Sequence, residues 1–212
     1  MSIRVVGVVG AGVMGVGVAQ NLALTGYDVV LVDISEAILA HAKEEIIKNL
    51  RLQRMLNKTR DRESTEEIIK RITFTQEHRL LATVDFVIEN TTEKWNIKKE
   101  VYEQIDSICQ PDVIFAVNTS AISITRVGSV TRRPAQVVGT HFMNPVPMKK
   151  TVEVIRGYHT SEETLATTRE LLATMGKESV VVNDMPGFVS NRVLMLTVNE
   201  AVYLVQDQVA TP

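Results

Sequence analysis

The chemistry this sequence can support centres on His141 and Glu153. His141 ends the apolar run Val137 to His141, and Glu153 lies inside Thr151-Val-Glu153-Val-Ile155. A carboxylate set among apolar neighbours needs a partner once it is buried, and imidazole is the side chain whose charge changes nearest neutral pH. If the strand carrying Glu153 returns beside the strand carrying His141, the carboxylate fixes the imidazole's tautomer and stabilises its cation. Such a pair suits a base that takes a proton from an alcohol while hydride leaves the adjoining carbon. A lone His at a strand end is more often structural, so its company matters. Asn118-Thr-Ser120, His141-Phe-Met-Asn144-Pro145 and Pro186-Gly-Phe-Val-Ser-Asn191-Arg192 each place polar side chains just after a strand or at a helix start. In an open α/β sheet the ligand crevice lies outside the carboxyl ends of the strands, where Ser120 and His141 both belong.

A second constellation opens the chain. Gly10-Ala-Gly12-Val13-Met14-Gly15 follows a strand-like run ending at Val9 and begins a helix running to Thr25. Gly10 allows the tight turn, Gly12 a close backbone approach to a pyrophosphate, and Gly15 tight packing of helix on strand. The diphosphate then sits over the helix N-terminus, whose free N–H groups and dipole favour anions. The next strand ends Val29-Val-Leu-Val-Asp33, placing a carboxylate where the adenosine ribose should lie. An acid there accepts from ribose hydroxyls and repels a 2′-phosphate, which favours NAD over NADP. FAD uses the same fingerprint, and residues 1–33 alone do not separate the two. A Gly-rich turn with an Asp that merely caps the following helix is the plainer alternative.

The elements that must position these groups alternate. Strand-like Ile3 to Val9, Val29 to Val32, Phe86 to Ile88, Val113 to Val117, Val137 to His141, Val152 to Ile155 and Ser179 to Val182 are separated by longer amphipathic stretches. Chief among these are Val13 to Leu24, Glu36 to Arg54, Lys94 to Ile108 and Glu162 to Met175. Val- and Ile-rich strands joined by helices specify an α/β fold: a Rossmann-type, doubly wound, mostly parallel sheet over residues 1–184. At Asp184-Met-Pro-Gly187 the alternation stops, and Phe188 to Gln208 reads as one helix. Residues 185–212 are too few for an independent core. The expectation is therefore the start of an all-α domain, incomplete here, with an exposed apolar face at Val189, Val193 and Leu196. The dense charge from Lys58 to Glu67 reads as a solvated loop.

Taken in order, these motifs resemble the L-3-hydroxyacyl-CoA dehydrogenase family, of the 3-hydroxybutyryl-CoA dehydrogenase type, along essentially the whole chain. The resemblance implies NAD-dependent, reversible oxidation of a 3-hydroxyacyl thioester to the 3-oxoacyl thioester. His141 would be the base and Glu153 its orienting partner, with Ser120 and Asn191 bonding the reacting oxygens of the substrate. Gly10, Gly12, Val13, Met14, Gly15, Asp33, Asn118 and Ser120 would hold NAD, and Glu93, Lys98 and Asn144 would line its nicotinamide half. Read without the resemblance, Lys98 fits a solvated helix residue, Asn144 a turn former before Pro145, and Asn191 a helix cap. The chain departs from the family where a lysine reaches the CoA nucleotide, since that position holds Leu56, with Arg54 and Lys58 as substitutes. A 3-hydroxyacyl carrier protein, which needs no nucleotide contact, is the alternative substrate. A relative that holds NAD without catalysis is the alternative of another class, against which intact His141, Glu153, Ser120 and Asn191 speak.

Bulk properties narrow the partners. A formal net charge of -2 argues against nucleic acid or anionic lipid, both of which select a strongly basic face. A single cysteine, Cys109, forms no internal disulfide, and four histidines show no metal-ligand spacing, so no metal is expected. With no signal peptide and no apolar run near the ~18 residues that span a bilayer, a cytoplasmic protein is expected. A homodimer through the C-terminal helical region would cover the apolar face.

Overall fold

The structure, a computed structural model, describes residues 3–56 and 63–212. Eight strands build one sheet: β1 (Val5–Val9), β2 (Asp28–Val32), β3 (Ile72–Thr75), β4 (Phe86–Glu89), β5 (Ile114–Asn118), β6 (Val137–Phe142), β7 (Thr151–Arg156) and β8 (Glu178–Asn183). The helices are α1 (Val13–Leu24), α2 (Glu36–Leu56), α3 (Thr65–Lys70), α4 (Trp95–Ile108), α5 (Ile124–Gly128), α6 (Glu162–Thr174) and α7 (Ser190–Gln206). The strand order is β3-β2-β1-β4-β5-β6-β7-β8. Every pairing is parallel except β6 with β7. Parallel neighbours need a crossover of a dozen or more residues, which the helices supply, whereas an antiparallel return can be short. Residues 143–150 make that return without a helix.

Alternation along each strand divides the core in two. Val6 and Val8 of β1, Phe86 and Ile88 of β4, and Ile114 and Ala116 of β5 pack with Leu22, Leu39, Ile46 and Leu165 on one face. Val87, Phe115 and Val117 pack with Tyr102, Ile105, Ile124 and Val127 on the other. From β1 the chain winds outward through β2 and β3, then returns to place β4 on the opposite side of β1. The carboxyl ends of β1 and β4 therefore flank the switch-point crevice.

Three local expectations need correction. The stretch from Lys58 to Glu67 is not all loop: residues 58–62 lie outside the described residues, but Ser64 and Glu67 form a reciprocal capping box that starts α3. The S-x-x-E pattern before Ile68 and Ile69 carried that signal. Directly after it comes the short strand β3, which the reading of the sequence omitted because four residues show little periodicity. Finally, α7 begins at Ser190, since Gly187 and Phe188 adopt positive φ values of 77° and 50° and turn the chain first.

Beyond that turn α7 buries none of its residues. Val193, Leu196 and Val202 are 61%, 68% and 60% exposed. No described helix is long and apolar enough to cross a membrane.

Candidate active site

The Gly-rich turn is held from below. Gly10 N–H donates to the Val32 carbonyl (2.8 Å), and the Asp33 carboxylate accepts from Ala11 N (2.8 Å) and Ser35 N (3.1 Å). A Cβ on Gly15 would lie 1.8 Å from the Gly10 carbonyl oxygen, so only glycine lets α1 start this close to its own loop. At Gly12 the reverse holds: a Cβ would meet nothing within 4 Å and would fill open space above the helix. The first turn of α1 has neither a side-chain cap nor an acidic residue. Its N–H groups thus face a cradle shaped for an anion. Ser35, not Asp33, caps α2, accepting from Ile38 N at 3.3 Å, so the plain helix-cap reading of Asp33 fails.

The antiparallel return sets His141 directly opposite Glu153 in register, which points both side chains to one face. His141 Nδ1 lies 2.8 Å from Glu153 Oε2, and both residues are buried. Burial raises the Glu153 pKa, but hydrogen bonds from His141, the Ser190 hydroxyl, and the backbone N–H groups of Ser190 and Val189 outweigh it and hold the carboxyl below its ordinary value. An ionised carboxylate only accepts, so the bond selects the tautomer with the proton on Nδ1, in which Nε2 holds the lone pair. Ser120 Oγ lies 3.1 Å from Nε2. The Phe188 ring, buried and tilted, stands 5.9 Å from the imidazole.

Ser120 sits on a loop that neighbouring elements fix from both sides. Glu93 accepts from Thr119 Oγ1 (2.8 Å) and from Ser120 N (3.2 Å). Asn191, in the first turn of α7, donates to the Ser120 carbonyl at 2.9 Å. Asn118 bridges Asn90 (2.7 Å) and the N–H of Phe142 (3.3 Å), tying together the ends of β4, β5 and β6. Asn144 lines a cavity of about 410 Å³ with Gly12, Val13 and Pro145.

One candidate leaves the crevice. Lys98, expected beside the nicotinamide with Glu93, has no exposed surface and pairs instead with Glu89, itself fully buried, at 2.6 Å and 2.9 Å. Its third donor reaches the Asn118 carbonyl at 3.3 Å. The solvated-helix alternative fails as well. Lys98 stands behind the wall of the crevice, bracing β4 against β5.

Sequence reasoning missed Ser190, Phe188, Thr119, Asn90 and Asp184. Asp184 accepts from Ser123 Oγ (2.7 Å), Thr125 N (2.8 Å) and Thr125 Oγ1 (2.6 Å), fastening the segment before α7 to the start of α5. Its place in Asp184-Met-Pro-Gly187 was visible as a boundary, its partners were not.

Comparison with known proteins fixes the lineage. The model of the 3-hydroxyacyl-CoA dehydrogenase NAD binding domain matches residues 5–185. The chain belongs to the 3-hydroxyacyl-CoA dehydrogenase family. It is 43% identical over 206 residues to a probable 3-hydroxybutyryl-CoA dehydrogenase of Deinococcus radiodurans, covering 97% of this chain and 73% of that protein. It is 37% identical to the mitochondrial hydroxyacyl-coenzyme A dehydrogenase of Rattus norvegicus, covering 95% of this chain and 66% of the relative. The crystal structure of (S)-3-hydroxybutyryl-CoA dehydrogenase from Ralstonia eutropha superimposes with a TM-score of 0.96 at 40% identity, over 100% of this chain and 74% of that one. The matched unit binds NAD, which sets aside FAD for the Gly10 to Asp33 unit.

Proposed function

We propose that this chain carries the NAD-dependent, reversible oxidation of a 3-hydroxyacyl-CoA to the 3-oxoacyl-CoA. The observation that carries the reading is the relay Ser120–His141–Glu153, with bonds of 3.1 Å and 2.8 Å, at the carboxyl ends of β5 and β6, the same edge of the sheet at which β1 runs into the Gly-rich turn. Gly10, Gly12, Val13, Met14 and Gly15 hold the pyrophosphate of NAD, and Asp33 holds the adenosine ribose. Glu93, Asn118 and Asn144 border the other half. Bound NAD supplies the acceptor for the hydride leaving the substrate's 3-carbon.

His141 Nε2 takes the 3-hydroxyl proton, and Glu153 balances the positive charge that then appears on the ring. Ser120 Oγ, bonded to the same nitrogen, orients the substrate hydroxyl, and Asn191 reaches a substrate oxygen from α7. In the reverse direction His141 returns the proton. The thioester arm runs along the groove between α1, α2 and the 144–148 loop, which Gln20, Asn49 and Gln53 line with amide groups suited to an amide-bearing arm. Of the candidate CoA-nucleotide contacts, Arg54 lies in the last turn of α2, while Lys58 lies outside the described residues.

The test is NADH absorbance with acetoacetyl-CoA. NADH is expected to be consumed and NADPH to be used far more slowly, because Asp33 opposes a 2′-phosphate. No NADH consumption would sink the reading. Faster turnover of an acetoacetyl carrier protein would replace CoA with the carrier arm.

Residues 1–184 act in this reading as the NAD-binding domain, and residues 185–212 open a helical domain that contributes to substrate binding and dimerisation. The bare apolar face of α7 is expected to drive concentration-dependent self-association of the 212-residue chain. Light scattering that shows a monomer across a hundredfold range of concentration would count against it.

A further inference from the structure

The first turn of α7 grips both partners of His141 with consecutive residues. Asn191 Nδ2 donates to the Ser120 carbonyl at 2.9 Å, on the Nε2 side of the ring. Ser190 Oγ donates at 2.7 Å to Glu153 Oε2, the same oxygen that accepts from His141 Nδ1. The other carboxylate oxygen takes Val189 N at 3.1 Å and Ser190 N at 2.9 Å. We propose that Ser190 is a positioning residue that sets the basicity of His141 through Glu153. The inference rests on the dehydrogenase reading for its functional meaning but not for its geometry.

The physical argument concerns competition for one oxygen. A carboxylate oxygen that already accepts a strong bond from a hydroxyl offers less electron density to a second donor. The Ser190 hydroxyl therefore weakens the hold of Glu153 on the imidazolium and keeps His141 ready to release its proton. It also ties the dyad to the orientation of α7, because the hydroxyl and the two N–H groups all belong to the residues that start the helix. Without the hydroxyl, Oε2 turns wholly to Nδ1 and the charged ring is favoured.

Neighbouring charges are accounted for. Glu93 is engaged by Thr119 and Ser120, Lys98 and Glu89 neutralise each other behind Asn118, and Asp184 is held by Ser123 and Thr125. Arg156 on β7 itself, Glu178 on β8, Arg192 and Glu200 on α7, and Glu162, Glu163, Arg169 and Glu170 on α6, which packs on β7, are the other charged groups of these elements, Arg156 being paired with Glu162. Among the described residues, none of these bonds to His141 or Glu153.

The experiment is NMR titration of the full chain carrying ring-labelled histidine, with the His141 resonance assigned by its loss in His141→Gln. Ser190→Ala is expected to raise the His141 midpoint by about 0.5–1 unit, the size that follows when a charge-assisted bond is redistributed. Ser190→Thr keeps a hydroxyl and is expected to hold the wild-type midpoint. In a Glu153→Gln background the charged acceptor is gone, so Ser190→Ala is expected to add no further shift. A midpoint unmoved in Ser190→Ala, or a shift that persists with Glu153→Gln, overturns the proposal. Ser190→Cys, similar in size but a weak donor, is read in the same way if the alanine variant does not fold. Because the titration needs no turnover, a wild-type chain without dehydrogenase activity would sink the functional reading and leave this assignment to be decided by the midpoints.

Discussion

His141→Gln is expected to cut turnover of 3-hydroxyacyl-CoA by about 10²–10⁴-fold, the usual loss when a positioned general base is removed. Glutamine is close to imidazole in reach and bonds to Ser120 or Glu153, so the crevice keeps its shape; what disappears is the lone pair that accepts the substrate proton. NAD affinity is expected to stay within about twofold, because the turn from Gly10 to Gly15 and Asp33 belongs to β1, α1 and β2, across the switch point from β6. Single-turnover rates and equilibrium dialysis with NAD read the two quantities separately. Near-normal turnover would remove His141 from the mechanism, and a large loss of NAD affinity would mean that the ring organises the cofactor half instead. Glu153 adds a pH signature. Its carboxyl is held below its ordinary value in the fold, so its contribution to stability is present above the usual carboxylate range and fades as pH falls through the lowered value. Acid inactivation should therefore bring loosening of α7, whose first residues Glu153 holds.

The cofactor unit was legible in the sequence because it is local. Gly10 to Asp33 spans one βαβ unit, and the spacing of the glycines and the acid states both the turn and the ligand. The pairing of His141 with Glu153 was legible as a condition, since a carboxylate among apolar residues demanded a partner and a short return could supply one. What escaped notice depends on long-range placement. Ser190 lies 37 residues beyond Glu153, and nothing in Val189-Ser190-Asn191 announces that the helix start would fold back on β7. β3 escaped for a different reason, since Ile72–Thr75 is too short to show alternation. For Lys98 the sequence misled: a lysine on an amphipathic helix reads as solvated or ligand-bound, and only the placement of Glu89 at the end of β4 reveals an internal partner.

That misreading of Lys98 leads to the second large effect, one on stability. Lys98→Met is expected to destabilise the chain by about 3–5 kcal/mol, the usual consequence of stripping one partner from a buried pair. Both partners have no exposed side-chain surface, so water does not replace the missing ammonium. Among the described residues Glu89 would keep Thr91, whose N–H and hydroxyl donate to Oε1 at 2.6 Å and 2.5 Å. The remaining neighbour, Tyr102, is fully buried, and burial followed by the charge of Glu89 pushes its hydroxyl well above its ordinary pKa. Its hydroxyl faces Glu89 without a close hydrogen bond to any described residue, so it is placed to turn toward the orphaned carboxylate and recover part of the loss. Replacing both partners, as in Lys98→Met with Glu89→Gln, removes the unpaired charge and should restore most of the stability. Urea unfolding of the three chains measures this directly. If Lys98 instead served the cofactor, Lys98→Met would leave the urea midpoint in place and weaken NAD binding by an order of magnitude or more. The burial of both charges argues for the first outcome: an ammonium bonded to Glu89 and to the Asn118 carbonyl has no donor left to offer a ligand.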